Sequence, residues 1–188
     1  YQDPQVRFSL DFPVGGGGTI ESNSLSNLDE AVAYGLDAEV AWNLTNRLDV
    51  NASLTLLDTE IDQTTDLGGD STLFDESPLP FASEVSATLS GRYVHPVREG
   101  VDLILTSNAK YRSEYFLDAE GLDERSQDDV TTVDAEVTLD FNQSQTRISL
   151  WGRNLTDEDY AVSGFGFIGY NTFRSDPMTY GIRVRKGF

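Results

Sequence analysis

The 188-residue chain sets 13 Lys and Arg against 32 Asp and Glu, a formal charge of −19, which excludes a nucleic-acid binder, since phosphate contact needs a basic stripe. Cysteine is absent and His95 is the single histidine, so disulfide scaffolds, thiolate chemistry, Cys- or His-based metal clusters and His-based triads within the chain go as well. No run approaches the about 18 apolar residues of a transmembrane helix and no signal peptide is visible at the start, but neither point bears on strands that cross a membrane.

A short opening strand is predicted with Val6, Phe8, Leu10 and Phe12 on one face. From 32 to 44 the even positions read Val32, Tyr34, Leu36, Ala38, Val40, Trp42 and Leu44, with Asp37, Glu39 and Asn43 among the odd ones. A period of two puts each set on its own face of a strand. The pattern recurs with Leu48, Val50, Ala52, Leu54 and Leu56, then with Val85, Ala87, Leu89, Gly91 and Tyr93. It returns with Val101, Leu103, Leu105, Ser107, Ala109 and Tyr111, and again with Val133, Ala135, Val137, Leu139 and Phe141. A blurred strand follows over 147–156, around Leu150, Trp151 and Leu155, and a last one carries Tyr180, Ile182 and Val184. These make about eight strands and no helix.

Short connections at 43–47, 95–100 and 142–146 alternate with long polar ones at 13–28, 62–82, 118–129 and 157–175, which puts every long loop at the same end of the sheet. The strands run about 10 to 15 residues, against about 5 to 6 in soluble sheets and about 9 to 11 needed to cross a bilayer. Tyr34, Trp42, Tyr93, Tyr111, Phe141, Tyr180 and Phe188 stand near strand ends, as in the aromatic girdles of a membrane barrel. A soluble β-sandwich also alternates; strand length and loop asymmetry decide for an all-β, antiparallel, up-and-down transmembrane barrel.

The C-terminal residues carry a family resemblance. The stretch Trp151-Gly152-Arg153-Asn154-Leu155-Thr156-Asp157-Glu158-Asp159-Tyr160 resembles the penultimate-strand motif of TonB-dependent outer-membrane receptors. Asp176-Pro177-Met178-Thr179-Tyr180-Gly181-Ile182-Arg183-Val184-Arg185 and Phe188 resemble their last strand. Ala33-Tyr34-Gly35-Leu36-Asp37-Ala38-Glu39, Leu44-Thr45-Asn46-Arg47-Leu48 and Pro78-Leu79-Pro80 are similar to earlier features of these receptors. The resemblance implies a barrel of about 22 strands around a plugged lumen. Residues 1–188 would be its last eight strands or so, with the plug domain, N-terminal strands and energy-coupling segment missing upstream.

It further implies the wall of an energy-coupled importer of scarce nutrients such as ferric siderophores, vitamins or glycans, in the bacterial outer membrane. The bilayer with its lipopolysaccharide, the TonB complex (through the missing N-terminal region) and the barrel-assembly machinery would be partners. Tyr180, Ile182, Val184 and Phe188 fit the assembly signal of outer-membrane proteins; Lys186 departs from it. The alternatives are a self-contained eight-stranded barrel with a structural or surface role, and a soluble sandwich binding module.

Aromatics in the long loops, Tyr115, Phe116, Phe165, Phe167, Tyr170 and Phe173, are candidates to stack on a substrate. Loops 62–82 and 118–129 each sum to −5, the second with Arg125 as its lone base. They read as a solubilising surface, or as a trap for cations. The run Gly164-Phe165-Gly166-Phe167-Ile168-Gly169 matches a dinucleotide fingerprint, which requires a helix after it, whereas a strand is expected there. His95 beside Pro96 reads as a turn residue. No catalytic, cofactor or metal site is expected, because the adjacent carboxylates have nothing to shift their acidity.

Overall fold

The computed structural model describes the backbone of residues 5–14, 18–27, 30–62, 77–166 and 170–187, and the side chains of 30–61, 77–165 and 170–187. Seven strands build the main sheet. They are β3 (Glu30–Thr45), β4 (Leu48–Asp62), β5 (Val85–Arg98), β6 (Val101–Arg112), β9 (Val130–Phe141), β10 (Thr146–Arg153) and β13 (Thr179–Lys186). Every neighbouring pair is antiparallel and follows chain order, so the sheet is an up-and-down meander. It is open. Seven is odd, so β3 and β13, the two edges, run in the same direction.

Three two-stranded pairs accompany the sheet: β1 (Gln5–Val14) with β2 (Gly18–Asn27), β7 (Tyr115–Phe116) with β8 (Ser126–Gln127), and β11 (Ala161–Gly166) with β12 (Tyr170–Arg174). Seven of the about eight expected strands lie together in the main sheet. The opening strand exists inside β1, but its partner is β2, out of the loop expected over 13–28. The long connections over 118–129 and 157–175 also carry strand of their own. His95 lies within β5, which runs on to Arg98, and its ring stacks at 6.3 Å on Tyr93.

Register extends each strand's alternation across the whole sheet. One row reads Trp42, Val50, Gly91, Ser107, Ala135, Gly152 and Tyr180. The next reads Leu48, Tyr93, Leu105, Val137, Leu150 and Ile182. On the opposite face a row reads Asn43, Asp49, Arg92, Thr106, Glu136, Trp151 and Gly181. One face is thus apolar from edge to edge and the other polar.

The apolar face is bare. Even in the middle of the sheet Leu105 and Leu139 are 38% exposed, and at the edges Trp42 reaches 61% and Ile182 74%. A sandwich would bury these residues under a second layer. Contiguous apolar exposure on this scale calls for a non-aqueous neighbour. Strand direction sorts the aromatics of this face into two belts. Tyr34, Tyr111 and Tyr180 stand toward the long connections; Trp42, Tyr93 and Phe141 stand toward the short turns. Phe188 lies outside the described residues.

The short turns are tight. Arg47 donates its backbone N–H to Thr45 Oγ1 at 3.1 Å. The β5–β6 turn takes Gly100 at φ 72°, where a side chain is disfavoured. Gln145 at φ 50° closes the 3₁₀ turn Asn142–Ser144.

Candidate functional site

At the long-connection end, loop residues fold into a small core of their own. β7 brings Tyr115 inward to 2% exposure, and its hydroxyl donates to the Ala161 carbonyl at 2.7 Å. Leu117, Ala161 and Tyr170 pack with it. The Arg112 guanidinium lies 4.2 Å above the Tyr115 ring and donates to the Phe81 carbonyl at 2.9 Å. Gln127 accepts the Ala161 backbone N–H at 2.7 Å, tying β8 to β11.

Arg125 fastens the loop to the hairpin. Its Nη1 stands 3.2 Å from Asp118 and 2.6 Å from Glu120, and its guanidinium lies 4.8 Å above the Tyr170 ring. Burial works against this cation, but Glu120 and Asp118 outweigh it and hold its pKa above the usual value. Burial first, then the charge of Asp118, pushes the Tyr170 phenol up; burial does the same to Tyr115 against the pull of Arg112. Both phenols are therefore neutral packing groups.

The six aromatic candidates separate accordingly. Tyr115 and Tyr170 come together in the core, Phe116 is half-buried beside it, and Phe165 stacks on Phe173 at 5.7 Å. Phe173 is 59% exposed, open to an incoming molecule. Phe167 lies outside the described residues. A strand, β12, follows the glycine-rich run where a dinucleotide fold would need a helix. Asp123, Glu124, Asp128 and Asp129 are exposed, and among the described residues no three acids gather closely enough to share a metal ion.

Sequence reasoning missed the polar-face groove at the end of the sheet. It holds about 330 Å³ and is lined by Ser90, Asn108, Glu136, Trp151, Arg153 and Arg183 among others. Arg183 pairs with Glu136 at 3.0 Å. The Trp151 indole closes against Gly181, where a Cβ would meet its Cζ2 at 2.9 Å. Arg153 and Arg183 flank the indole at 6.0 and 5.8 Å. The signal was present as Ser149, Trp151 and Arg153 on alternate positions; an indole in a polar series obscured it.

The penultimate-strand motif acts as a knot. Asn154, 8% exposed at φ 48°, donates through Nδ2 to the carbonyls of Glu158 (2.8 Å) and Asp176 (3.0 Å). Its Oδ1 accepts from the Glu158 N–H at 3.0 Å and from Thr156 at 3.3 Å. Asp157 Oδ1 accepts the Met178 N–H at 3.1 Å, and Ser175 N–H donates to the Tyr160 carbonyl at 2.8 Å. The excursion between β10 and β13 is thereby closed at its base. Tyr180, Ile182 and Val184 line the apolar face of β13, with Lys186 below them reaching Thr146 Oγ1 at 3.2 Å.

A family model described as TonB dependent receptor-like, beta-barrel, matches residues 1–155. Among solved structures, the ferric yersiniabactin uptake receptor FyuA from Yersinia pestis is 19% identical with a TM-score of 0.75, over 98% of this chain and 29% of that one. BauA, the ferric preacinetobactin receptor from Acinetobacter baumannii, is 16% identical with a TM-score of 0.66, over 96% and 26%. The ferric-catecholate import receptor Fiu from E. coli is 18% identical with a TM-score of 0.63, over 96% and 26%. The chain spans less than a third of the length of these receptors.

Proposed function

Because the chain belongs to the TonB-dependent receptor β-barrel family, we propose that residues 1–188 are the C-terminal wall of an energy-coupled outer-membrane importer of scarce nutrients, ferric siderophores first among them. Such receptors are outer-membrane proteins of Gram-negative bacteria, and the family is one of transporters and receptors. The plug domain, the earlier strands and the segment that engages the TonB complex belong to sequence outside this chain. The barrel-assembly machinery would insert it, reading the β13 apolar series.

The observation that carries this reading is the continuous apolar face, bare from β3 to β13 and bounded by two aromatic belts, backed by a polar face fit to line water. The self-contained barrel is not favoured. Among the described residues the main sheet ends in two edges that run the same way, so its seven strands do not close on one another by antiparallel pairing.

Fractionation of the full-length protein tests the reading together with growth on ferric siderophores as sole iron source in a strain lacking it. Recovery in carbonate-washed outer membranes and a growth defect are expected. Recovery in the soluble periplasm would refute the reading.

A further inference from the structure

The polar face ends, at the short-turn side, in a row with an unbalanced charge order. Pro96, Asp102, Asp140, Arg147 and Arg185 stand directly opposite one another in turn. The signs run acid, acid, base, base, so two like pairs face each other across strands, an arrangement that costs stability unless compensated.

Most of the row is compensated from within. Asn142 Nδ2 donates to Asp102 at 2.9 Å, and Arg147 Nε donates to Asp140 at 2.8 Å. Arg147 is thereby committed toward the acids. Arg185 is left beside it with no hydrogen bond or ion pair among the described residues. It lines a groove of about 330 Å³ with Asp140, Asn142, Gln145, Arg147 and Lys186. Its other flank is the open edge of β13.

That edge lacks a neighbour on both faces. Tyr180, Ile182 and Val184 are 74%, 74% and 66% exposed, against 58% for Leu150 opposite Ile182 and 41% for Ile148 opposite Val184. The β3 edge cannot close it by antiparallel pairing, because β3 and β13 share a direction. A second copy pairing β13 to β13 brings no compensating charge in any register, since the polar-face residues of β13 are Thr179, Gly181, Arg183 and Arg185.

In a closed receptor barrel an antiparallel strand of the same chain completes the β13 edge, and we infer that the residue of that strand standing opposite Arg185 on the polar face is a carboxylate. The inference rests on the outer-membrane reading above. The strand runs from the short-turn end toward the long-connection end. It carries apolar residues beside Tyr180, Ile182 and Val184, and its acid extends the row to acid, acid, base, base, acid.

The chain contains no cysteine, which allows a direct test in the full-length receptor in outer membranes. Arg185→Cys is paired with single cysteines walked along the strand that abuts β13, and disulfides are scored on non-reducing gels. The position that cross-links is expected to hold Asp or Glu natively. Arg185→Ala and neutralisation of that acid should each speed urea unfolding about two- to fivefold, the double variant should be no faster than either, and Arg185→Lys should restore the slow rate.

An apolar or basic neighbour, rate effects that simply multiply, or a cross-link to a second copy would overturn the inference while leaving the importer reading intact. Absence of the wild-type receptor from outer membranes would overturn both.

Discussion

Replacing Asn154 with alanine isolates the knot that closes the excursion between β10 and β13. The side chain makes three well-formed hydrogen bonds, to Glu158 carbonyl and N–H and to Asp176 carbonyl, and a longer one to Thr156. At about 1 kcal/mol net for each good bond, less what water recovers at the exposed Asp176 end, the loss is ~2 kcal/mol. The left-handed backbone at φ 48° adds ~1 kcal/mol against alanine. Asn154→Ala should therefore lower the unfolding free energy of the full-length receptor in detergent micelles by ~3 kcal/mol. Asn154→Gly, which keeps the backbone and loses the bonds, should cost only ~2 kcal/mol. Urea unfolding followed by tryptophan emission and by the heat-modifiable gel shift measures both. A loss below ~1 kcal/mol for alanine, or a glycine variant less stable than alanine, would show that the amide does not hold this end of the sheet.

Val40→Arg, on the apolar face, should cost roughly 2 to 4 kcal/mol near the bilayer midplane, while Glu39→Arg costs far less. Cysteines at the same positions should divide between lipid-soluble and charged maleimides, and equal access of the charged reagent to both would argue against a surrounding bilayer. Arg125→Met leaves Asp118 and Glu120 half-buried without their cation, so cleavage by external protease within 113–129 should quicken at least tenfold; an unchanged rate would show that the clasp is idle. The phenols of Tyr170 and Tyr115 are held above their ordinary value of 10.0, so the core they form keeps its full strength below pH 10 and loses it as pH climbs through the raised folded values. Hairpin protease sensitivity that rose between pH 8 and pH 9 would contradict this. Gly181→Val pushes against the Trp151 indole and should shift its emission in a receptor whose other tryptophans are phenylalanine, whereas Gly91→Val, with more open space around it, should leave that emission alone.

The long strands of the wall, β3, β4, β5, β6 and β9, were legible because each alternates over nine or more residues, as an apolar surrounding on one side and water on the other require. The series from Val32 to Leu44 lies wholly inside β3, and those of β4, β6 and β9 follow suit. β2 was illegible for the converse reason. Its sequence, Gly18-Thr19-Ile20-Glu21-Ser22-Asn23-Ser24-Leu25-Ser26-Asn27, has almost no apolar face and reads as loop. Pro96 beside His95 suggested a turn, yet β5 carries the proline through a register shift between Pro96 and Arg98, a position where a missing N–H is tolerated. The aromatic loop residues were visible, but not their division between packing and exposure. That division is set by Arg112 and Arg125, whose ring contacts no local sequence pattern announces. Arg125 was still conspicuous as the one base in an acidic loop.

The closed base of the β10–β13 excursion has an evolutionary consequence. Asn154, Asp157 and Ser175 lock residues 154–160 to 175–178 regardless of what the chain does in between. Lineages can therefore lengthen, shorten or rewrite the tip of the β11–β12 hairpin without disturbing the register of the wall beneath it. The same separation makes the hairpin tip a natural place to graft a foreign peptide for display.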